Sequence, residues 1–182
     1  MAAESVASDL QVSSASRAEL EGRFGDLLDR NGGALARLAS SYTRTATDRD
    51  DLLQEIAIAL WRALPGFRGE CSERTFLFRI AHNRCLAHLS RKRPVIALDD
   101  EDIAVEDPRP SAEHQLSQEQ QAERLARAVR QLPLTYRQVI IMTLEGLAYR
   151  DIAQVLGITE SNVGVRLTRA RQLLKTLLED RP

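Results

Sequence analysis

Apolar side chains recur every three or four residues along most of the chain, which is the spacing of one face of an α-helix. The clearest pattern lies near the C-terminus, in residues 145–171. It predicts a helix from about Tyr149 to Leu156, ended by Gly157, because glycine readily takes the left-handed conformation of a helix C-terminus. Thr159 is suited to the N-cap of a second helix. The stretch therefore predicts a helix-turn-helix.

The second helix of this motif has two different faces. One face is apolar and carries Val163, Leu167, Ala170 and Leu174. The opposite face and its flanks carry mostly polar and basic side chains, namely Ser161, Asn162, Val165, Arg166, Thr168, Arg169 and Arg171. A packed helix followed by a basic one is the layout with which helix-turn-helix proteins enter the major groove of DNA. The alternative is a helical hairpin whose basic face is only solvated.

The first 45 residues predict an extension and two helices. Residues 1–17 are rich in Ala and Ser and show no helical period, so we expect a disordered N-terminal extension. Apolar stripes predict one helix from about Ala18 and another from about Ala34 to Thr45. The segment Asn31-Gly32-Gly33 is expected to separate them.

The next helix is predicted over residues 51–64, ended by Pro65 and Gly66. Its core face is expected to carry Leu53, Ile56, Ala57, Leu60, Trp61 and Leu64. Its other faces carry Asp51, Gln54, Glu55 and Arg62. These four side chains form either a partner-binding face or a solvated surface, and helical periodicity does not separate the two.

A segment rich in phenylalanine and arginine follows. A loop over residues 66–73 leads into a helix over residues 73–90, for which Ser72 is a suitable N-cap. Three phenylalanines stand among its arginines, at positions 67, 76 and 78. Aromatic rings stack on bases while arginines hold phosphates, so this composition suits single-stranded nucleic acid. The alternative for each ring is a place in the hydrophobic core.

Charge along the chain alternates, although the net charge is only −1. Residues 68–93 hold seven basic residues and two acids, residues 95–123 hold nine acids and one arginine, and residues 160–175 are basic again. The proline-broken acidic stretch over residues 95–117 predicts a flexible linker. We therefore expect an all-α protein with two small helical domains, over residues 18–94 and 118–182, joined by that acidic linker.

Several classes of protein are not supported by the sequence. No apolar run approaches the roughly 20 residues of a membrane span, and the N-terminus lacks the pattern of a secretory signal, so we expect a cytoplasmic protein without membrane insertion. Cys71 and Cys85 provide neither a disulfide framework nor a zinc site. The six-residue spacing of His82 and His88 does not suit a metal pair, and both are expected at the surface or lining a groove. We expect no metal, cofactor, small-molecule substrate or enzymatic activity.

Three motifs together resemble the bacterial RNA polymerase sigma factors of the sigma-70 family, in the extracytoplasmic-function group. Residues 51–61, Asp-Leu-Leu-Gln-Glu-Ile-Ala-Ile-Ala-Leu-Trp, are similar to the region 2 helix that binds the clamp helices of the polymerase. Residues 67–83 are similar to the region 2 segment that opens the minus-ten element, and residues 132–171 to region 4, which binds the minus-35 element. The resemblance covers roughly residues 20–178.

The resemblance implies a role for each candidate residue. Polymerase binding falls to Asp51, Gln54, Glu55 and Arg62, and duplex binding at the minus-35 element falls to the polar face of the helix-turn-helix already named. Binding of the minus-ten strand falls to Phe67, Arg68, Arg74, Phe76, Arg79, Asn83 and Arg84. The implied partners are core RNA polymerase, promoter DNA and an anti-sigma factor.

The sequence departs from the family pattern at three positions. Phe76 stands where family members often carry tryptophan, and Gly164 and Val165 stand where they often carry a basic and a small polar residue. Two other functions stay open beside the sigma factor. One is a transcriptional regulator whose N-terminal unit senses a ligand or dimerises, and the other is an interaction protein held by an inhibitor. A stable homodimer on a palindromic site would favour the regulator.

Overall fold

The computed structural model describes residues 2–92 and 113–179, and within these ranges the secondary structure is helical, as predicted. The α-helices are α1 (Ala2–Ser40), α2 (Ala46–Ala63), α3 (Glu73–Lys92), α4 (Glu113–Gln131), α5 (Leu134–Leu144), α6 (Tyr149–Leu156) and α7 (Glu160–Glu179), with a 3-10 turn at Leu64–Gly66. No helix of the described ranges is long and apolar enough to cross a membrane.

The first unit consists of α1, α2 and α3, which pack against each other around one apolar centre. Leu38, Leu52, Ile56, Leu60 and Phe78 have no exposed surface there. The core face of α2 is therefore rotated slightly from the predicted one, because Leu52 is fully buried while the predicted Leu53, Ala57 and Trp61 are only half-buried.

The second unit consists of α4 to α7, with α5 and α6 both packed on α7. Val139, Met142, Ile152 and Leu167 are fully buried between them. The predicted turn between α6 and α7 is confirmed: Gly157 has a φ of +66°, and the Thr159 hydroxyl accepts a hydrogen bond from the Asn162 amide at 3.2 Å. Short-range turn and cap signals thus determined this motif.

Helix α1 differs from the prediction in two ways. It runs unbroken through Asn31, Gly32 and Gly33, so the predicted division into two helices is wrong. Asn31 is buried, and its side chain donates to the Leu27 carbonyl at 2.9 Å, so it satisfies the helix backbone locally. Packing of the apolar residues on both sides outweighs the low helix propensity of the two glycines, which is about 1 kcal/mol each relative to alanine.

The ends of the two units also differ from the predicted boundaries. Helix α1 begins at Ala2, in the stretch that was expected to be disordered, and α4 begins at Glu113, so the last five positions of the predicted linker are helical. A helix grows easily from an existing one because only its first turn is costly to form. Residues 93–112, which include most of the predicted linker, lie outside the described residues.

Candidate nucleic-acid interface

Helix α7 presents one face to solvent. Val163, Leu167 and Ala170 are buried in the second unit, which fixes the rotation of the helix about its axis. Ser161, Val165 and Arg169 follow each other at intervals of four, so they share the outward face. Six of the seven predicted residues of this face are exposed, and the seventh, Arg166, is half-buried. The structure thus brings the predicted duplex-binding residues together on one helix.

Two hydrogen bonds order polar side chains on α7. Arg166 Nε donates to Asn162 Oδ1 at 2.8 Å, which links two predicted DNA-contacting side chains one turn apart. The Thr168 hydroxyl donates to the Gly164 carbonyl at 3.0 Å, so its proton is already engaged by the helix backbone. The ordered Arg166 loses less side-chain entropy on binding than a free arginine would.

The phenylalanines of the first unit are packed rather than open. Phe76 is 8% exposed and Phe78 is completely buried, while Phe67 is half-buried. The ring centroids of Phe67 and Phe76 lie 4.6 Å apart, with the ring planes inclined by 40°. The predicted alternative of core positions therefore describes Phe76 and Phe78, and Phe67 is the ring nearest to solvent.

Arginines lie against these rings. The guanidinium of Arg74 lies 5.7 Å from the centroid of Phe78, and that of Arg79 lies 5.9 Å from the centroid of Phe76. A guanidinium within about 6 Å of a ring is attracted by the ring quadrupole. The predicted Arg68, Asn83 and Arg84 are exposed on the same segment. Together with the exposed Arg74 they are the accessible polar groups of this face.

Arg23 of α1 completes the aromatic cluster, and sequence reasoning missed it. Its guanidinium lies 5.2 Å from the centroid of Phe67, and its Nε donates to Glu73 Oε1 at 2.7 Å. Arg23 therefore holds both the loop before α3 and the first turn of α3. No local pattern could have found this contact, because the two ion-paired residues are 50 positions apart.

The predicted polymerase-binding residues lie on α2. Asp51, Gln54 and Arg62 are exposed, and the half-buried Glu55 accepts from Arg91 Nη2 of α3 at 2.5 Å. Asp51, Glu55 and Arg62 share one side of α2 by helical spacing. Ile58 lies on that side too and is 45% exposed. It was not predicted, although an exposed apolar side chain among charges is a common feature of protein-binding faces.

A polar seam joins the two units, formed by Arg37, Arg74 and Thr75 of the first unit and by Glu145 and Asp151 of the second. Arg37 Nε and Nη2 donate to the two carboxylate oxygens of Glu145 at 2.7 and 2.8 Å. Arg74 Nη2 donates to the Glu145 carbonyl at 2.5 Å, and the Thr75 hydroxyl donates to Asp151 Oδ1 at 3.1 Å. The donors of these bonds come from the first unit and the acceptors from the second.

The two partners of the central ion pair differ in exposure. The side chain of Glu145 is 5% exposed, whereas that of Arg37 is 64% exposed. The hydrogen bonds with Glu145 raise the pKa of Arg37, so the guanidinium stays charged. A further bond, from Arg137 Nη1 of the second unit to the Ser41 carbonyl at 3.1 Å, crosses between the units at the end of α1. The seam was not predicted from the sequence.

The histidines and one cysteine are buried in the first unit. His82 is 4% exposed and His88 is 6% exposed, so the predicted surface or groove positions are wrong. Burial lowers the pKa of His82 to about 4, and His88 Nε2 lies 3.1 Å from Asp48 Oδ1. Cys85 has no exposed surface, and burial raises the pKa of its thiol to about 12. Both histidines lie on the inward side of α3. The sequence of α3 is too polar to show which side faces inward.

Two family models match the chain. The model of sigma-70 region 2 matches residues 27–95, and the model of sigma-70 region 4 matches residues 122–174. The first range covers the end of α1, α2 and α3, and the second covers most of α4 to α7. The matched boundaries agree with the two units of the fold.

Several known proteins are similar to this chain in sequence or in structure. RNA polymerase sigma factor NccH of Alcaligenes xylosoxydans xylosoxydans is 34% identical over 162 residues, covering 86% of this chain and 87% of the relative. ECF RNA polymerase sigma factor SigM of Mycobacterium tuberculosis is 32% identical over 156 residues, covering 85% and 76%. The structure of CnrH, a sigma factor of Cupriavidus metallidurans, in complex with the cytosolic domain of CnrY is similar with a TM-score of 0.67 at 30% identity, covering 89% of this chain and 91% of CnrH.

Proposed function

The chain belongs to the extracytoplasmic-function group of RNA polymerase sigma factors of the sigma-70 family, and we propose from this that it binds core RNA polymerase and directs it to promoters, where it opens the DNA. The first unit is its region 2 and the second unit is its region 4. The observation that carries the proposal is the presence of two separate basic surfaces, on α3 and α7, in one chain.

Region 4 recognises the minus-35 duplex through the outward face of α7. Ser161 and the Asn162–Arg166 pair reach base edges, since amide and guanidinium groups can form two hydrogen bonds to one base. Arg169 and Arg171 hold phosphates and set the register of the helix. Val165, 49% exposed, supplies an apolar contact of the kind that suits a thymine methyl group.

Region 2 binds the opened minus-ten strand through the loop before α3 and the N-terminal half of α3. Arg68, Arg74, Arg79 and Arg84 hold the strand by its phosphates, and Asn83 adds a hydrogen-bonding group. Phe67 is the ring that takes up an unstacked base, because Phe76 and Phe78 are packed in the core. The buried Phe76 ring packs against Phe67, with the two ring centroids 4.6 Å apart.

Core polymerase binds the side of α2 that carries Asp51, Glu55, Ile58 and Arg62, with Gln54 at its edge. Charged groups around one exposed apolar side chain give orientation and speed of association, while the apolar contact contributes affinity. An anti-sigma factor controls access to the polymerase, as the family membership implies. The protein acts in the cytoplasm and carries out no catalysis of its own.

Run-off transcription tests the proposal. The purified chain is mixed with core RNA polymerase and genomic DNA fragments of its source, and the 5′ ends of the transcripts are mapped. Discrete starts that depend on the added chain and share upstream sequences are the expected result. Absence of such starts, together with binding of the chain alone to palindromic duplex sites as a homodimer, would instead support a transcriptional regulator.

Matched variants separate the two DNA surfaces from the polymerase surface. The double variant Arg166→Ala/Arg169→Ala should lose minus-35 binding and keep its affinity for core polymerase, whereas Asp51→Ala/Glu55→Ala should lose polymerase affinity. Arg150→Ala is the control, because its side chain is 81% exposed on α6 of the same unit. If the control lost as much promoter binding as the double variant, a diffuse positive field would explain the result better than specific contacts.

A further inference from the structure

In the seam, the first unit supplies arginine side chains and the second unit supplies the acidic residue that they bind. Arg37 and Arg74 both bind Glu145, one through its carboxylate and the other through its backbone carbonyl. Their guanidinium groups therefore lie close together, because both bind atoms of the same residue. With Glu145 removed, the first unit would present two closely spaced arginines beside the N-terminal turn of α3.

The geometry of the central pair matches more than one kind of anion. Arg37 contacts two oxygens of one carboxylate through Nε and Nη2, at 2.7 and 2.8 Å. A phosphate group offers two oxygens in the same fork arrangement, and arginine binds both groups bidentately. The Arg37 side chain keeps 64% of its surface exposed, so it can exchange one partner for the other at the protein surface.

With the seam closed, the two units cannot bind the minus-ten and minus-35 elements of one promoter at the same time. A minus-ten and a minus-35 element lie about 25 base pairs apart, which is about 85 Å of duplex at 3.4 Å per base pair. A compact chain of 182 residues has a radius of gyration of about 16 Å and so spans about 40 Å. Regions 2 and 4 must therefore separate, and their separation releases Arg37 and Arg74.

We propose that Arg37 and Arg74 form a phosphate-binding site for the promoter DNA backbone on region 2, and that Glu145 occupies this site as a substitute anion while the seam is closed. The inference rests on the proposed sigma-factor function. Arg74 was expected to contact DNA from the sequence, whereas Arg37 is a new DNA-binding residue. Promoter DNA and region 4 compete for the same two guanidinium groups, so DNA binding at this site keeps the units apart.

The test measures how promoter binding depends on salt. Holoenzyme is assembled from core polymerase and the full chain, and the dissociation constant for a promoter fragment is measured between 50 and 200 mM salt. Each phosphate contact adds about 0.9 to the slope of log K against log salt concentration. Arg37→Ala should reduce the slope by about 1, which makes the loss of affinity across this range about fourfold smaller.

Two further variants isolate the site. Arg30→Ala removes another exposed arginine of α1, whose side chain binds Asp26 of its own helix, and it should leave the slope unchanged. Glu145→Gln removes the competing charge and should raise promoter affinity at every salt concentration without changing the slope. Circular dichroism confirms that each variant is folded, and Arg37→Lys, which keeps the charge without the fork, should fall between wild type and Arg37→Ala in affinity.

The outcomes separate this inference from the proposed function. An unchanged slope for Arg37→Ala in a holoenzyme that binds and transcribes would overturn the phosphate site and leave the sigma-factor function standing. Equal losses for Arg37→Ala and Arg30→Ala would also overturn it, because only general charge would be involved. If wild-type chain failed to bring core polymerase to any promoter, the proposed function itself would fail, and the inference with it.

Discussion

The closed seam should open when Arg37 is replaced by alanine. In the closed arrangement the substitution leaves the Glu145 carboxylate, which is 5% exposed, without its guanidinium partner. In the open arrangement the same carboxylate is hydrated, so the substitution costs little there. The equilibrium between closed and open forms should therefore move towards the open form.

The size of the shift follows from the exposure of the two partners. A hydrogen bond to a charged group contributes about 1.5–3 kcal/mol when it is buried, and an exposed ion pair contributes at most about 1 kcal/mol. This pair is intermediate, because Glu145 is buried while Arg37 is 64% exposed. We expect about 2 kcal/mol, which corresponds to a roughly 30-fold change in the ratio of closed to open molecules.

Single-molecule energy transfer measures that ratio in the free chain. Dyes are attached to cysteines introduced at Ser90 on α3 and Gln172 on α7, which are both exposed. Cys71 is replaced by serine, whereas Cys85 can stay, because it is fully buried and its thiol pKa is raised to about 12. The low-transfer population should grow in Arg37→Ala relative to wild type.

The control is Arg91→Ala, which breaks an ion pair with Glu55 that lies wholly within the first unit. It should leave the closed and open populations unchanged. Arg37→Ala combined with Glu145→Gln should open the chain by less than the sum of the two single variants, because both remove the same pair. Unchanged populations in Arg37→Ala would refute the reasoning that the buried carboxylate depends on this guanidinium.

Three further predictions concern stability and are tested by denaturant unfolding. The folded-state pKa of His82 is about 4, below its unfolded value of about 6.5, so the contribution of His82 to the free energy of unfolding is complete above pH 6.5 and falls by about 3 kcal/mol as the pH drops to 4. His82→Gln should flatten this pH dependence, and an unaltered pH profile would contradict the prediction. Gly157→Ala should lower the free energy of unfolding by about 1–2 kcal/mol because the φ angle of Gly157 is +66°. Gly164→Ala lies within helix α7, where the nearest contact of the new methyl group is 3.9 Å away, and should raise stability by up to about 1 kcal/mol. Equal effects of the two variants would show that backbone conformation is not the cause. Leu167→Ala should lower the free energy of unfolding by about 2–5 kcal/mol because the Leu167 side chain is fully buried. Leu173→Ala, at a 40% exposed position, should cost much less, and similar losses for both variants would count against the packing of α7.

Features that depend on neighbouring residues could be predicted from the sequence. Helix α6 has the predicted bounds, Tyr149–Leu156, and the turn at Gly157 and the cap at Thr159 form as expected. The hydroxyl of Ser72 likewise accepts from the Thr75 amide at 3.0 Å at the start of α3. Each of these signals acts over three or four residues, so the sequence contains all the information that they need.

Local signals failed where packing opposed them. Glycine and asparagine at positions 31–33 favour a break, yet α1 continues through them because the helix is held by buried residues before and after, such as Leu27 and Leu35. The predicted positions of the histidines were wrong for a related reason. A polar side chain on a mixed helix face could point either way, and only the position of α1 and α2 around α3 decided that His82 and His88 are buried.

The sequence by itself determined the helical class, the two units and the basic faces of α3 and α7, because periodicity and charge are properties of residues close together in the chain. The tertiary structure decided which side chains meet across long separations. Arg23 and Glu73 are 50 positions apart, and Arg37 and Glu145 are 108 apart. A charge pattern shows that such groups exist, but a specific ion pair also requires two helices to be held at one distance and orientation. That requirement is met only by the packed core, and so the seam between the two units became visible only in the fold.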